Sequence, residues 1–395
     1  MTRTLTTAAA ALLTDEMLAR FDARAPEYDR DNRFFHEDFE ELRESGYLDA
    51  PNLPEFGGPG LSLAEVMRLQ RRLAYHAPAT AIAVNMHIYW IGVAADLCRA
   101  GDTSLAWLLD EAAAGHVFAA GHGEAGNDVP LLLSTTRAER VAGGWEFTGR
   151  KIFGSLSPVW TYFGIHGMDT SDPENPQVVH GFLARNADGY EIRETWDVLG
   201  MRATASHDTV LERAFVPDER VALVAPAGNR GAGLFQLAIN AWALIGFANV
   251  YTGLARRAYD LAIEGVRGKR SIALTRSMAH HPGVQHNVAE MRMALETAEA
   301  LIDRVARDWS EGVPHGQEWP VQIVTAKHVA VTNAWKVVDT ALDLTGGGGI
   351  FKRHRMEQLF RDARLGLIHP ANSLLTHEIV GKTSLGIGDD GLRWG

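Results

Sequence analysis

Apolar residues return every three or four positions over most of the chain, which is the period of an α-helix with one buried face. This period holds to about residue 115, is lost between residues 116 and 228, and returns after residue 229. Helices are therefore expected at both ends of the chain, with a different structure between them. The long helices are predicted at roughly residues 79–97, 232–267, 282–311 and 320–344, followed by a shorter pair after Arg355 and after Asn372.

Capping residues mark the ends of helices in the first segment. Ser62, followed three positions later by Glu65, predicts a capping box that starts a helix after the turn-rich residues 54–60. Thr103 predicts the start of another helix, and Gly115 predicts its end, where a residue in the left-handed conformation is needed. The first segment is thus expected to be all-α.

The middle segment has the short apolar runs and turn residues typical of β-strands. Strands are predicted within residues 117–120, 140–148 and 178–183, and Gly143-Gly144 is a hairpin signal inside the second run. A small antiparallel barrel or sandwich, inserted between two helical domains, would produce this order.

The helices of the last segment have the lengths found in bundles, and the one at 282–311 carries the narrow apolar stripe of an antiparallel four-helix bundle. The predicted fold class is therefore α+β and mainly α. Its three domains are an N-terminal helical domain (1–115), a central β domain (116–228) and a C-terminal four-helix bundle (229–395).

Composition narrows the class of protein. The chain has 395 residues, a net charge of −11 and no block of basic residues, so nucleic acid is not an expected partner. The single cysteine, Cys98, excludes an intrachain disulfide and fits a reducing cytoplasm. Asn85, His87 and Asp96 interrupt the apolar stretch at 79–97, which favours a buried helix and a soluble protein over a membrane span. The spacing of the histidines at 280, 281 and 286 matches no helix-borne metal site, so no metal is expected.

Five short motifs occur in a fixed order along the chain. They are a Pro/Gly turn at 54–58, a glycine-containing loop at 120–129, the run 149–155, the run 199–204, and a glycine turn at 346–349 followed by Arg-Asp-Ala-Arg at 361–364. Each motif alone is weak, because short glycine-containing matches arise by chance. Together they resemble the acyl-CoA dehydrogenase superfamily over nearly the whole chain.

The resemblance implies a bound flavin, FAD or FMN, which carries out the redox chemistry while the protein positions it. Residues that the resemblance places along the flavin ring are His122, Gly123, Asn127, Phe153, Gly154, Ser155 and Asn372. Those that it places toward the ADP half of FAD are Arg270, Gly346, Gly347 and Gly348. The family's basic segment survives only as charge around Arg270, which makes FMN a credible alternative to FAD. The alternatives for these motifs are that Phe153 is a core residue, Ser155 a strand-end residue and the glycine turn a helix C-cap.

The family's catalytic base is missing from its usual position. Where the family has Tyr-Glu-Gly-Thr, the chain reads His369-Pro370-Ala371-Asn372, and proline has no ionisable group. A second known position for the glutamate falls on Ala243. His369 stands beside the lost glutamate, where an imidazole could donate a hydrogen bond or accept a proton. His87 and Ala243, with His369, are the residues predicted to line the substrate pocket.

The missing base favours the flavin monooxygenases built on this fold, such as those similar to dibenzothiophene monooxygenase. The expected protein accepts reduced flavin from a separate reductase and uses O₂, with His369 and Ser155 as catalytic hydrogen-bond donors in a dry pocket. It acts on a small molecule and forms a homo-oligomer, a tetramer or a dimer. Two alternatives stay open: an acyl-CoA dehydrogenase with another base, and a flavin-binding protein without catalytic activity.

Overall fold

Six helices precede the first strand in the part of the chain that the computed structural model describes, which is residues 7–228 and 233–387. Glu65 accepts hydrogen bonds from the backbone amide (3.0 Å) and the hydroxyl of Ser62, so the predicted capping box is confirmed. The six are α1 (Thr7–Ala11), α2 (Asp15–Arg30), α3 (His36–Glu44), α4 (Leu63–His76), α5 (Pro78–Arg99) and α6 (Ala106–Ala113).

The predicted start of α6 at Thr103 is wrong, whereas its predicted end is confirmed. The Asp102 carboxylate accepts the Ser104 amide at 2.9 Å, and this local turn delays the helix until Ala106. Gly115 follows the helix with φ +89°, the left-handed conformation that closes a helix C-terminus.

Helix α5 lies inside the protein, as its apolar sequence predicts. The carboxylate of Asp96 near its end accepts the indole N–H groups of Trp242 (2.7 Å) and Trp309 (2.8 Å), which ties α5 to the C-terminal domain. Two helices among the described residues, Pro78–Arg99 and Gly233–Gly268, are long and apolar enough to cross a membrane. Their apolar windows are 89% and 67% buried inside the protein, so packing accounts for their composition.

The central domain contains eight strands: β1 (Phe118–Gly121), β2 (Arg137–Val141), β3 (Gly144–Gly154), β4 (Tyr162–Asp169), β5 (Gln177–Ala184), β6 (Tyr190–Arg193), β7 (His207–Pro217) and β8 (Val221–Pro226). They form one mixed sheet in the order β6-β7-β3-β2-β4-β5-β8, with β1 also paired to β4. The predicted hairpin is confirmed: β2 and β3 are antiparallel, with Val141 opposite Gly144 and Gly143 at φ +76°. The sheet differs from a purely antiparallel one, because β4 pairs in parallel with β1 and, at one position, with β2.

Long helices return after the sheet, with bounds close to those predicted. They are α7 (Gly233–Gly268), α8 (Pro282–Ser310), α9 (Trp319–Thr345), α10 (Arg355–Arg364) and α11 (Ser373–Leu385). Helices α7, α8 and α9 pack side by side, α10 and α11 pack on α9, and α7 also packs against α4 and α5. Apolar residues of α8 at the predicted stripe, including Met291, Leu295 and Ile302, are buried.

Residues of α10 join all three domains. Arg361 forms an ion pair with Asp29 of α2 (2.5 Å) and donates to the Leu199 carbonyl oxygen (2.9 Å) of the loop before β7. The next residue, Asp362, accepts the backbone amide of Met201 in the same loop at 2.5 Å. The Arg-Asp pair of this motif therefore has the structural role that its chemistry predicts.

Candidate active site

Phe153 projects from the end of β3 onto the surface. A register shift against β7 lies between Lys151 and Gly154, and such a bulge re-aims a side chain. Phe153 has φ +62°, a costly conformation for a bulky L-residue, and 58% of it is exposed. Its ring lies nearly perpendicular to that of Trp196, with 6.0 Å between centroids. Phe153 is therefore not a core residue, and its aromatic face is available to a flat ligand.

Ser155 belongs to a chain of three hydroxyl groups. Its Oγ lies 2.7 Å from Ser206 Oγ, which lies 2.7 Å from Thr204 Oγ1. Thr204 in turn donates to the Met201 carbonyl oxygen at 2.9 Å. Because a hydroxyl group has one proton and Thr204 gives its proton to a carbonyl oxygen, Ser206 donates to Thr204 and Ser155 donates to Ser206. The structure therefore corrects the expectation of a donor: the Ser155 hydroxyl offers an acceptor lone pair to a group above β3.

The loop between β1 and β2 is fixed to β3 below Phe153. The amide of Ile152 donates to the Gly123 carbonyl oxygen at 2.9 Å. A Cβ on Gly123 would lie 2.6 Å from the Ile152 carbonyl oxygen, so only glycine allows this close approach. The predicted flavin-ring residues Gly123, Phe153 and Gly154 are thus brought together.

A buried ion pair holds the same loop. Lys151 Nζ lies 2.5 Å from Glu124 Oε1, and both side chains are fully buried. Burial would raise the pKa of Glu124, but the Lys151 charge and hydrogen bond, with the hydroxyls of Ser134 and Thr136, lower it to about 2. Burial lowers the pKa of Lys151 to about 8, against the opposing effect of Glu124. Both groups are charged at neutral pH.

Three imidazole rings pack behind this ion pair. The rings of His166 and His180 stack with centroids 5.6 Å apart, and the ring of His122 meets His166 edge-on at 5.4 Å. The Nε2 atoms of His166 and His180 lie 3.0 and 3.2 Å from the carbonyl oxygens of Leu133 and Leu131. Burial lowers the pKa of all three rings, that of His180 to about 4, so the rings are neutral near pH 7.

His122 keeps one ring nitrogen free for a ligand. Its Nδ1 lies 3.5 Å from the hydroxyl oxygen of Tyr89 on α5. Its Nε2 is buried and has no hydrogen-bond partner among the described residues. A buried nitrogen without a partner is costly, and a bound polar group would satisfy it.

His369 lies between two aromatic residues of α7. Its ring centroid is 5.2 Å from that of Phe247 and 5.7 Å from that of Tyr251, and its Nδ1 is 3.3 Å from the Tyr251 hydroxyl oxygen. Burial, and secondarily the Lys327 charge, lower the pKa of His369 to about 3. The structure therefore corrects the expectation of an imidazole that titrates near neutrality: the ring is neutral, a weak base and a competent hydrogen-bond donor.

Ala243 lies on the same face of α7 as these two aromatic residues, four positions before Phe247 and eight before Tyr251. The two family positions for a catalytic glutamate thus converge on one wall, and here they carry alanine and proline. Among the described residues, no carboxylate forms a hydrogen bond or ion pair with His369.

Met201 connects the residues at the end of β3, around Phe153 and Ser155, with the residues around His369 on the helices. Its carbonyl oxygen accepts from Thr204 at the end of the Ser155 hydroxyl chain, and its amide donates to Asp362 on α10. The segment after α10 carries His369. One loop therefore sets the position of the strand end relative to the helices.

Three predicted site residues have other roles in the structure. His87 is 3% exposed, and its Nδ1 accepts the Phe118 amide at 3.0 Å, so it is a core residue rather than a pocket residue. The side-chain amide of Asn127 donates to the Glu124 carboxylate (2.9 Å) and the Leu133 carbonyl oxygen (2.6 Å) and accepts the Val129 amide. Asn127 therefore shapes its own loop. Asn372 accepts the Leu375 amide at 3.0 Å, the N-cap of α11.

The glycine turn lies at a separate place, at the end of α9. Gly346 is the C-cap of that helix with φ +72°, as the simpler alternative predicts, while Gly347 and Gly348 face open space. Lys269, rather than its predicted neighbour Arg270, reaches this turn and donates to the Thr345 carbonyl oxygen at 3.3 Å. Arg270 is exposed, with its backbone paired to Ser277. The basic residue beside the glycine turn is thus Lys269.

Trp196 also borders a cleft of about 410 Å³. The cleft contains none of the predicted substrate-pocket residues, so it is distinct from the His369 group. Its lining residues are Asn32, Phe34, Pro158, Glu194, Thr195, Trp196, Asp197, Ala205 and His207. Within residues 7–228 and 233–387, no group of three or more His, Cys, Asp or Glu side chains could hold a metal ion.

Comparisons with known proteins identify the family. Residues 245–373 match the model of the acyl-CoA dehydrogenase C-terminal domain. A putative acyl-CoA dehydrogenase of Bacillus subtilis, YdbM, is 30% identical over 355 residues, which cover 89% of this chain and 90% of that protein. L-evernosamine nitrososynthase of a Micromonospora species is 27% identical over 367 residues, covering 89% of this chain and 83% of that protein. The chain belongs to the acyl-CoA dehydrogenase superfamily of flavin-dependent oxidoreductases.

Solved structures with the same fold agree with this assignment. The nitrososynthase from Micromonospora carbonacea var. africana superposes with a TM-score of 0.85 at 23% identity, over 98% of both chains. TdsC from Paenibacillus sp. A11-2, solved with FMN and indole, superposes with a TM-score of 0.82 at 21% identity, over 96% of this chain and 98% of that one. At these identities the likeness establishes the fold.

The residues at the end of β3 fit a flavin ring. Phe153 offers an exposed aromatic face, Ser155 a hydroxyl group, and His122 a buried nitrogen that lacks a partner. Flat, polar-edged ring systems satisfy all three features together.

Proposed function

We propose that the protein is a two-component flavin monooxygenase that transfers one oxygen atom from O₂ to a nitrogen, sulfur or carbon atom of a small molecule. When bound, reduced flavin supplies the two electrons and two protons that let one oxygen atom enter the substrate and the other leave as water. The proposal includes a separate reductase as the source of reduced flavin, and a soluble cytoplasmic homo-oligomer.

The observation that supports the proposal best is the wall formed by α7 and the segment after α10. Acyl-CoA desaturation needs a base to remove a proton, and general-base catalysis contributes roughly 10²–10⁴-fold to such a step. Here Ala243 and Pro370 occupy the two positions of that base, and burial holds the pKa of His369 near 3. The relatives named as nitrososynthases support oxygen transfer as the alternative use of this scaffold.

In this proposal each residue group has one task. His369 donates a hydrogen bond from the N–H of its neutral ring to oxygen at the reaction centre, and Ser155 accepts a hydrogen bond at the end of the hydroxyl chain on β3. Phe247 and Tyr251 keep water away from His369. Phe153 would cover one face of a bound flavin ring, and the loop around Gly123 and His122 would hold its polar edge.

The test uses chemically reduced FMN or FAD, ¹⁸O₂ and a panel of small amines, sulfur compounds and indoles. We expect ¹⁸O in the product of one substrate class, with less hydrogen peroxide released than O₂ consumed. Titration of the protein with each flavin determines which flavin is bound. Bleaching of bound oxidised flavin by acyl-CoA thioesters without O₂ would overturn the proposal in favour of a dehydrogenase.

Replacing Phe153 by glycine tests the flavin-ring site. The change relieves a left-handed conformation worth about 1–2 kcal/mol and adds about 0.4–1 kcal/mol of chain entropy to the unfolded state. The free energy of unfolding should therefore stay equal or rise, whereas flavin affinity should fall about tenfold through loss of ring contact. Fluorescence titration and denaturant unfolding measure the two effects.

The matched control is Phe215→Gly, on β7, which removes a 39% exposed phenylalanine whose own φ is not positive. This control should lower the free energy of unfolding and leave flavin affinity unchanged. Equal flavin affinity in Phe153→Gly and the unmodified protein would mean that the ring binds elsewhere.

A further inference from the structure

Lys327 on α9 is a buried lysine whose partners are all backbone oxygens. The residue is 1% exposed. Its Nζ donates to the carbonyl oxygens of His369 (2.7 Å), Ala371 (3.0 Å) and Gly366 (3.1 Å). An ammonium group has three protons, so these three acceptors use its full donor capacity. Burial lowers the pKa of Lys327 to about 7, so the protonated form that satisfies all three acceptors predominates below neutral pH.

The three acceptors lie on one short segment, residues 366–371, which connects α10 to α11 and carries His369. Without Lys327, three carbonyl groups of this segment would lose a buried donor. Each lost hydrogen bond of this kind costs roughly 1–3 kcal/mol locally. The lysine therefore fixes the backbone on which the imidazole stands, from the side of α9.

Tyr251 on α7 fixes the same segment from the opposite side. A Cβ on Gly366 would lie 3.0 Å from the Tyr251 ring, so the segment packs directly on that ring. The Tyr251 hydroxyl oxygen lies 3.3 Å from His369 Nδ1. Burial raises the pKa of Tyr251, so the phenol keeps its proton and can donate a hydrogen bond to Nδ1. The ring proton of His369 then resides on Nε2.

We propose that Lys327 and Tyr251 are positioning residues that hold His369 in one orientation, with Nδ1 accepting from Tyr251 and Nε2–H directed to the reaction centre. This inference rests on the proposed function for its catalytic meaning, because it specifies how the hydrogen-bond donor is aimed. Neither residue needs to contact substrate or flavin.

Lys327→Met removes all three donors with little change in volume. Hydrogen–deuterium exchange of peptides covering residues 365–376 should rise at least tenfold in this variant, with exchange elsewhere unchanged. In turnover, the fraction of O₂ that enters product should fall about tenfold, while the KM for the small substrate stays within about twofold. Lys327→Gln, which keeps two N–H donors, should recover part of both effects.

The matched control is Lys336→Met, on the same helix, which removes an exposed lysine paired with Glu290. Both measurements should match the unmodified protein. If Lys327→Met does not fold, Tyr251→Phe removes only the hydroxyl and should lower coupling without loosening the segment. Unchanged exchange in folded Lys327→Met would overturn the positioning role, whatever the reaction. If exchange rises in Lys327→Met but the unmodified protein itself transfers no oxygen, the result would count against the proposed function alone and leave the positioning role intact.

Discussion

Replacing His369 by alanine is expected to lower the fraction of O₂ incorporated into product by about 10²-fold while leaving the protein folded. Removal of one preorganised hydrogen-bond donor from a reaction centre typically costs about 10²–10³-fold. The fold should persist because Lys327 holds the backbone carbonyl of residue 369 rather than its side chain. The measurement is the ratio of product, and of hydrogen peroxide, to O₂ consumed with reduced flavin. Peroxide should rise as product falls.

His286→Ala is the control, because it makes the same change at an exposed histidine of α8. Its coupling ratio should equal that of the unmodified protein. His369→Asn retains an N–H donor on a shorter side chain, so its coupling ratio should lie between those of His369→Ala and the unmodified protein. Coupling within about twofold of normal in His369→Ala would remove the imidazole from the mechanism.

The helical architecture was predictable because it depends on local periodicity. The bounds of α8, Pro282–Ser310, lie within one residue of the predicted 282–311, since a long apolar stripe averages out local noise. The predicted helix start at Thr103 is wrong because the Asp102 side chain accepts the Ser104 amide and forms a turn there instead. Asp and Thr both favour caps and turns, so the sequence does not show which of the two side chains prevails. The parallel pairing of β1 with β4 joins strands more than 40 residues apart and leaves no local signal.

The candidate site was predictable at single positions but not as a set of contacts. His369 follows from the motif around it, whereas its partners Phe247, Tyr251 and Lys327 lie on other helices, 42 or more residues away in sequence. The position of His87 on an apolar helix predicts a pocket residue, whereas its ring accepts the Phe118 amide in the core. Tyr89 lies two residues further along α5, about 200° around the helix axis from His87, and its hydroxyl group is the one that faces His122.

Amide side chains explain the remaining differences. Asn127 and Asn372 sit at positions that the family motif places near the flavin, yet each uses its side chain within its own loop or helix end. Asparagine satisfies local backbone groups readily, so a motif match cannot separate a ligand contact from a turn or cap. The Glu124–Lys151 pair was equally hidden, because neither sequence position reveals that both charges are buried.

Lys151→Met is expected to lower the free energy of unfolding by about 3–5 kcal/mol, the typical cost of leaving one charge of a buried ion pair without its partner. Glu124 would keep its hydrogen-bond donors from Asn127, Ser134, Thr135 and Thr136. It would lose Lys151, the only charged cation within 4 Å of its carboxylate among the described residues, since the nearby ring of His166 is neutral. Denaturant unfolding of the apoprotein measures the change. Lys336→Met, which breaks an exposed pair, should cost less than about 1 kcal/mol.

The double variant Lys151→Met, Glu124→Gln separates the burial of a lone charge from the loss of packing. Because the glutamine is neutral, it should recover a large part of the stability lost in the single variant, with a coupling energy of about 1–3 kcal/mol between the two sites. Flavin affinity should follow the same order, since Glu124 holds the loop that places Gly123 and His122 beside β3. Additive effects of the two substitutions would show that the pair contributes no coupling, and that the loop is held by its hydrogen bonds to the hydroxyl and amide groups alone.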